Sequence, residues 1–140
     1  MYEPFLSLLD LAVPVIGALN GHAVGGGFGL ALVCDLRIGA LEAKYGANFV
    51  KLGLAPGMAI SYLLPRIIGP SRAAELLFTG RLVEGDEAER IGILSSVHDA
   101  DDVLPRAMDL ARAIAASARR TSARTRCTSR SSRCSSSRCR

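Results

Sequence analysis

Long apolar runs are missing from this sequence. No stretch of the 140 residues reaches the roughly 18 consecutive apolar positions that a membrane-spanning helix requires, so no membrane association is expected. The N-terminus has no basic segment of the kind that opens a secretory signal, and Glu3 and Asp10 interrupt its apolar stretch. Cysteine is sparse before the tail. Cys34 stands there by itself among apolar neighbours, so a buried thiol and a reducing, cytoplasmic setting are expected. Acid is absent from the last 22 residues, Arg119 to Arg140, which hold eight of the 17 basic residues. The formal charge of +4 therefore misdescribes the body, where the remaining nine basic residues face 13 acidic ones for a net −4.

The tail, residues 119–140, is made of Arg, Ser, Thr, Cys and one Ala, without apolar periodicity, and is expected to be disordered. Text of this kind is what a GC-rich gene yields when read out of frame, and that is one expectation for it. The other is a genuine basic tail that holds RNA or another polyanion through non-specific phosphate contacts. It has no interleaved aromatics for base stacking, so nucleic acid is expected as a partner only by that route. Cys127, Cys134 and Cys139 lack the paired spacing of a zinc knuckle, and no metal is expected.

The body, residues 1–118, is long enough for one domain, and a chain 49% hydrophobic can build a core. Phe5, Leu8 and Leu9 recur at helical spacing, which predicts a short amphipathic helix over Tyr2 to Leu11. Val13 to Leu19 is short, β-branched and carries Pro14 near its start, so it reads as a buried strand. "NGHAVGG" then reads as a loop, Gly27 to Cys34 as a buried helix and Asp35 to Ala40 as the next strand. Glu42 to Gly57 reads as a loop-rich connection. Two helices are predicted at Ala59 to Ile68 and Ser71 to Phe78, with Ser71 as N-cap. A helix over "GDEAERIG" ended by Gly92, a strand over "ILSSVHD" and an amphipathic helix over Val103 to Ala118 complete an α/β pattern.

Three consecutive glycines, Gly25 to Gly27, sit between a strand and a buried helix. Glycine loses the most backbone freedom on folding, so the triplet must serve a positive φ or a close approach by another molecule. The first amides of a helix have no internal partner and carry the positive end of the helix dipole. A carbonyl oxygen or phosphate can sit on them where no Cβ intervenes. The G-G-G-x-G spacing is neither a P-loop nor a dinucleotide fingerprint. From spacing alone, an anion or oxyanion site and a tight strand–helix junction both remain open.

"PVIGALNGHAVGGGFGLALVCDLRIGA", "YGANFVKLGLAPGM" and "LPRIIGPSRAAELLFTGRLVEGDEAERIGIL" resemble, in order and spacing, the crotonase superfamily of enoyl-CoA hydratases and isomerases. The resemblance covers about Tyr2 to Ala118. It implies a partial crotonase-type spiral of ββα units that acts on acyl-CoA thioesters. The implied chemistry stabilises an enolate in an oxyanion hole, with coenzyme A arriving as part of the substrate and no separate cofactor. By motif match the backbone N–H of Gly26 is an oxyanion donor, and Gly25 and Gly27 let the thioester approach. The same match puts the family's carboxylate positions at Gly29, Phe49 and Gly57, none of which can transfer a proton. An inactive acyl-CoA-binding protein is therefore an alternative to an enzyme, and a polyanion binder acting through the tail is a second.

The nearest polar side chains in sequence are His22, Tyr45, Asn48 and Lys51. Their ordinary readings are a loop residue, a core aromatic, a turn former and a solvated cation. Asp35 reads as a structural hydrogen-bond acceptor, and Glu84, Asp86, Glu87 and Glu89 as a cap and a solvated face. The resemblance also implies an upstream half with the other oxyanion donor, C-terminal helices where this chain has its tail, and trimer-based assembly in complete members.

Overall fold

A computed structural model describes residues 7–117. A 3-10 turn at Ser7–Asp10 leads into β1 (Ile16–Leu19), β2 (Ala23–Val24), α1 (Gly26–Val33), β3 (Leu36–Ala40) and β4 (Lys44–Gly46). A second 3-10 turn at Phe49–Leu52 precedes α2 (Ile60–Ile68) and α3 (Pro70–Thr79). The chain continues through β5 (Val83–Glu84), α4 (Gly85–Arg90), β6 (Ser96–His98) and α5 (Ala100–Ala116). This is the expected α/β class.

The strands form two three-stranded sheets. In the first, β3 lies between β1 and β6 and pairs parallel with both, with Ile16 opposite Leu36 and Ile38 opposite Ser96. Parallel strands are covered on both faces, which is why β3 is buried over Arg37 to Ala40. Arg37 is buried with it, and its guanidinium donates to the Ile93 and Cys34 carbonyls, as a charge in such a place requires. In the second sheet β4 lies between β2, parallel, and β5, antiparallel.

Tyr45 joins the two. It lies on β4 with its ring wholly buried, and its hydroxyl donates 3.0 Å to the Ala40 carbonyl at the end of β3. Phe28, Ile60, Leu64 and Ile93 are fully buried with it in one core cluster. Helix α1 buries Phe28, Ala31, Leu32 and Val33 because it is apolar on all sides, while Leu30 is left exposed.

Several expectations are corrected. Of the helix expected over Tyr2 to Leu11, the described part holds a 3-10 turn at Ser7–Asp10, and the rest, residues 2–6, lies outside the described residues. The strand expected over Val13 to Leu19 is shorter and half-buried, because β1 pairs on one edge only, with β3. The "NGHAVGG" loop contains β2, and the loop-rich Glu42 to Gly57 contains β4 and a 3-10 turn.

Ser71 is not the N-cap of α3. Gly69, at φ 85°, holds that position and Pro70 is the first helical residue, a place its fixed φ suits. Cys34 is half-buried rather than buried. Glu84 occupies the N-cap of α4 without a side-chain cap bond, and Glu87 is paired with Arg81 rather than merely solvated. Asp35 does act as a structural acceptor, taking the Val15 N–H at 2.8 Å. The Arg/Ser/Cys tail and its cysteines lie outside the described residues.

Candidate functional site

The glycine triplet forms the step from β2 into α1. Gly25 has φ 59° and ψ −119°, a conformation that a side chain would strain. Its N–H donates 2.9 Å to the Gly46 carbonyl, pinning the turn to the end of β4. Its carbonyl accepts the Gly29 N–H at 3.1 Å, the first bond of α1. The amides of Gly26 and Gly27 thus fall in the first helical turn, ahead of any internal acceptor. Among the described residues neither donates a backbone hydrogen bond.

Both residues are exposed, and a Cβ on either would meet nothing within 4 Å. Two N–H groups without a backbone acceptor thus lie at the positive end of a helix, on exposed residues whose missing side chains leave their Cβ side clear. The arrangement can hold a carbonyl oxygen or an anion.

One wall of this space comes from the segment after β4. A Cβ built on Gly25 would lie 3.8 Å from Phe49 Cζ and 3.9 Å from Asn48 Oδ1. The Phe49 ring tip and the Asn48 carboxamide therefore both stand at the glycine turn. A second contact comes from the turn before α2, where a Cβ on Gly29 would overlap Met58 Cβ. Met58 and its neighbour Ala59 hold left-handed backbones, at φ 56° and 54°. Gly57 precedes them, half-buried, and its carbonyl accepts the Ile60 N–H.

The structure thus gathers Gly25, Gly26, Gly27, Gly29, Asn48 and Phe49, with Gly57 one residue from the Met58 contact. The other polar side chains lie elsewhere. His22 is exposed and its Nδ1 accepts the Lys44 backbone N–H at 2.9 Å. Tyr45 is in the core, where burial pushes its phenol above the ordinary tyrosine range. Lys51 is exposed beside Gly80.

The approach of Met58 to Gly29 had no signal in the sequence, since the two are distant in the chain. Asn48 was visible there only as a turn former. A separate recess of about 430 Å³ is lined by Glu42, Glu84, Asp86, Glu87 and Arg90 among others, and includes none of the glycine turn. The glycine turn differs from it in offering unpaired backbone donors on exposed residues. Among the described residues no group of three or more His, Cys, Asp or Glu is placed to hold a metal, and no helix is long and apolar enough to cross a membrane.

The sequence matches the family model for enoyl-CoA hydratase/isomerase over residues 1–132. The chain belongs to the enoyl-CoA hydratase/isomerase family. It is 46% identical over 112 residues to a probable enoyl-CoA hydratase of Mycobacterium leprae, covering 80% of this chain and 44% of that protein. It is 42% identical over 106 residues to the crotonyl-CoA hydratase of Syntrophomonas wolfei, covering 76% and 41%.

Among solved structures, a probable enoyl-CoA hydratase/isomerase from Mycobacterium abscessus superposes with a TM-score of 0.87 at 41% identity, covering 92% of this chain and 50% of that one. A monofunctional enoyl-CoA isomerase from M. smegmatis gives 0.83 at 44% identity, covering 91% and 60%. The two-sheet arrangement is therefore a crotonase fold. This family member spans less than half the length of those two curated relatives.

Proposed function

We propose that this enoyl-CoA hydratase/isomerase family member acts on acyl-CoA thioesters, with the Gly26 N–H as a donor to the thioester carbonyl. One observation carries the reading. The Gly26 amide has no acceptor among the described residues, and it belongs to an exposed residue at the first turn of α1 where a Cβ would meet nothing within 4 Å. A carbonyl oxygen held there gains most from the donor when it becomes an enolate oxygen, because the added charge meets a preorganised dipole. Gly25 shapes the turn and Gly27 keeps the approach clear. Coenzyme A enters as part of the substrate, and the reading requires no separate cofactor.

At the three positions matched to the family's carboxylates stand Gly29, Phe49 and Gly57. Two have no side chain and the third is an aromatic hydrocarbon, so none moves a proton. A second reading, acyl-CoA binding without turnover, is favoured by the Gly29–Met58 contact, which closes off the space beside α1 that a side chain at 29 would need.

Butyryl-CoA separates the readings. Titration calorimetry measures its binding, and exchange of its α-hydrogens with deuterated solvent reports the enolate. Gly26→Pro deletes the N–H at a helical position that proline suits. Binding with α-exchange that falls on the order of 10²-fold or more in Gly26→Pro supports enolate stabilisation. Binding without exchange supports the second reading. Absence of binding overturns both.

A further inference from the structure

We infer that the turn at residues 57–59 is a two-state element that covers and uncovers one face of α1. In the covered state, the one in this structure, Met58 lies against Gly29. In the other, Met58 and Ala59 wind into α2 and Met58 leaves α1. The inference concerns access to α1 and holds whatever ligand that helix takes.

The covered state is strained and poorly bonded. Met58 and Ala59 are consecutive, and among the described residues they are the two non-glycine positions with a left-handed backbone, at φ 56° and 54°. A side chain carries a steric cost in that region, and such residues persist only where their surroundings hold them. The N–H groups of Gly57, Met58, Ala59 and Ser61 donate no backbone hydrogen bond among the described residues. The Ala59 carbonyl meanwhile takes both the Tyr62 and the Leu63 N–H, at 3.0 and 2.9 Å. What opposes these costs is one contact. Met58 fills the room that Gly29 leaves by having no side chain, since a Cβ there would overlap Met58 Cβ and lie 3.2 Å from the Met58 carbonyl oxygen.

The sequence supplies a second arrangement for the same residues. Pro56 suits the first position of a helix, and Ala55 before it is biased toward the extended backbone of an N-cap. With Met58 and Ala59 in right-handed angles, α2 begins near Pro56 instead of at Ile60. The Ser61 and Tyr62 N–H groups then reach the Gly57 and Met58 carbonyls in the ordinary i to i−4 pattern, and both strained residues relax. What is lost is the Met58–Gly29 contact. The turn therefore balances packing on α1 against backbone strain and hydrogen bonding. Gly26 and Gly29 lie three residues apart on α1 and share a face. A ligand that needs the room at Gly29 selects the wound state and draws the turn toward it.

Nuclear magnetic resonance of the full chain tests this without any ligand. Cα and Cβ shifts report whether residues 58 and 59 are left-handed or helical, and relaxation dispersion reports exchange with a minor state. The parent should show left-handed shifts at Met58 and Ala59, with exchange at the Gly29, Met58 and Ala59 amides. Gly29→Ala excludes the covered state, so both residues should move to helical shifts and the Ser61 amide should exchange with solvent about tenfold more slowly or less. Ala59→Gly relieves the left-handed cost and disfavours helix, so the wound population should fall about tenfold or more and the dispersion with it.

Left-handed shifts retained at Met58 in Gly29→Ala would show that α1 gives way instead of the turn, and would overturn the inference. So would a parent without exchange at these amides, or dispersion unaltered in Ala59→Gly. The parent and Ala59→Gly decide the matter by themselves should Gly29→Ala fail to fold.

Discussion

Gly29 and Met58 compete for one space. A Cβ on Gly29 would overlap Met58 Cβ and lie 3.2 Å from the Met58 carbonyl oxygen and 3.3 Å from Ile60 Cγ1. Position 29 is therefore closed to every residue but glycine unless the Met58 turn moves. Gly29→Ala should destabilise by about 1–2 kcal/mol, because overpacking outweighs the helix preference for alanine. Met58→Gly removes the obstructing Cβ and a left-handed strain of roughly 1 kcal/mol. The double variant should be more stable than the sum of the two single changes, by at least about 0.5 kcal/mol. Urea unfolding of the four proteins measures this coupling. Simple additivity would show that the turn yields freely. The same contact implies that Gly29→Glu alone installs no working carboxylate.

The three glycines of the turn should respond differently. Gly25→Ala forces a side chain into φ 59°, ψ −119° and should cost about 1–3 kcal/mol. Gly27→Ala meets nothing within 4 Å in a helical position and should stabilise by about 0.5–1 kcal/mol. Thermal unfolding of the two variants beside the parent decides it. Similar effects at both positions would contradict the assigned roles.

Acid should loosen the corner where Arg81 meets Glu87 and Glu75. Arg81 makes two hydrogen bonds to Glu87, at 3.0 and 2.8 Å, and one to Glu75 at 2.9 Å. The two bonds to Glu87, and then the charges of Arg81 and Arg90, hold its carboxyl below the ordinary range. A depressed carboxylate contributes stability above its unfolded value and loses it as pH falls through its folded one. The network is partly exposed, so its worth is discounted to about 1 kcal/mol. Arg81→Gln should be weaker than the parent by that amount near neutral pH. The gap should close on acidification below the usual glutamate range and shrink in high salt. A gap that is constant with pH would rule out this ionic origin.

Gly80 ends α3 in a left-handed conformation at φ 61°. A Cβ there would lie 2.7 Å from Val50 Cγ1 and 3.2 Å from Lys51 Cγ. Both belong to the 3-10 turn that also carries Phe49. Gly80→Ala should cost about 1–3 kcal/mol and displace that turn. Hydrogen exchange should therefore quicken at the Lys51 and Leu54 amides, which close the turn on Asn48 and Phe49. Unchanged exchange at both amides would show that the 3-10 turn does not depend on Gly80.

The sequence made the longer elements legible for identifiable reasons. Helix α1 is apolar throughout and α5 is amphipathic, so each carries a pattern that survives without knowledge of its neighbours. The two-residue strands β2 and β5 and the three-residue β4 carry no period to detect, and their identity comes from pairing with one another. The start of α3 was misplaced because a serine suggested a side-chain cap where Gly69 and Pro70 set the geometry through backbone alone. At the site, the glycine triplet announced the turn. The closure of position 29 by Met58 and the placement of Asn48 at Gly25 are contacts between distant segments, which no local pattern encodes.

The hydroxyl of Tyr45, which reaches from one sheet to the other, makes the chain its own optical gauge. No tryptophan is present to overlay a tyrosine signal. While the sheets stay docked, burial holds the phenol neutral above the ordinary tyrosine range. This stabilisation is complete below the unfolded value near 10 and lost as pH rises through the folded one. A late tyrosinate step in an alkaline absorbance titration therefore registers the docking of β4 against β3. Its shift toward an ordinary value would report that the sheets have parted.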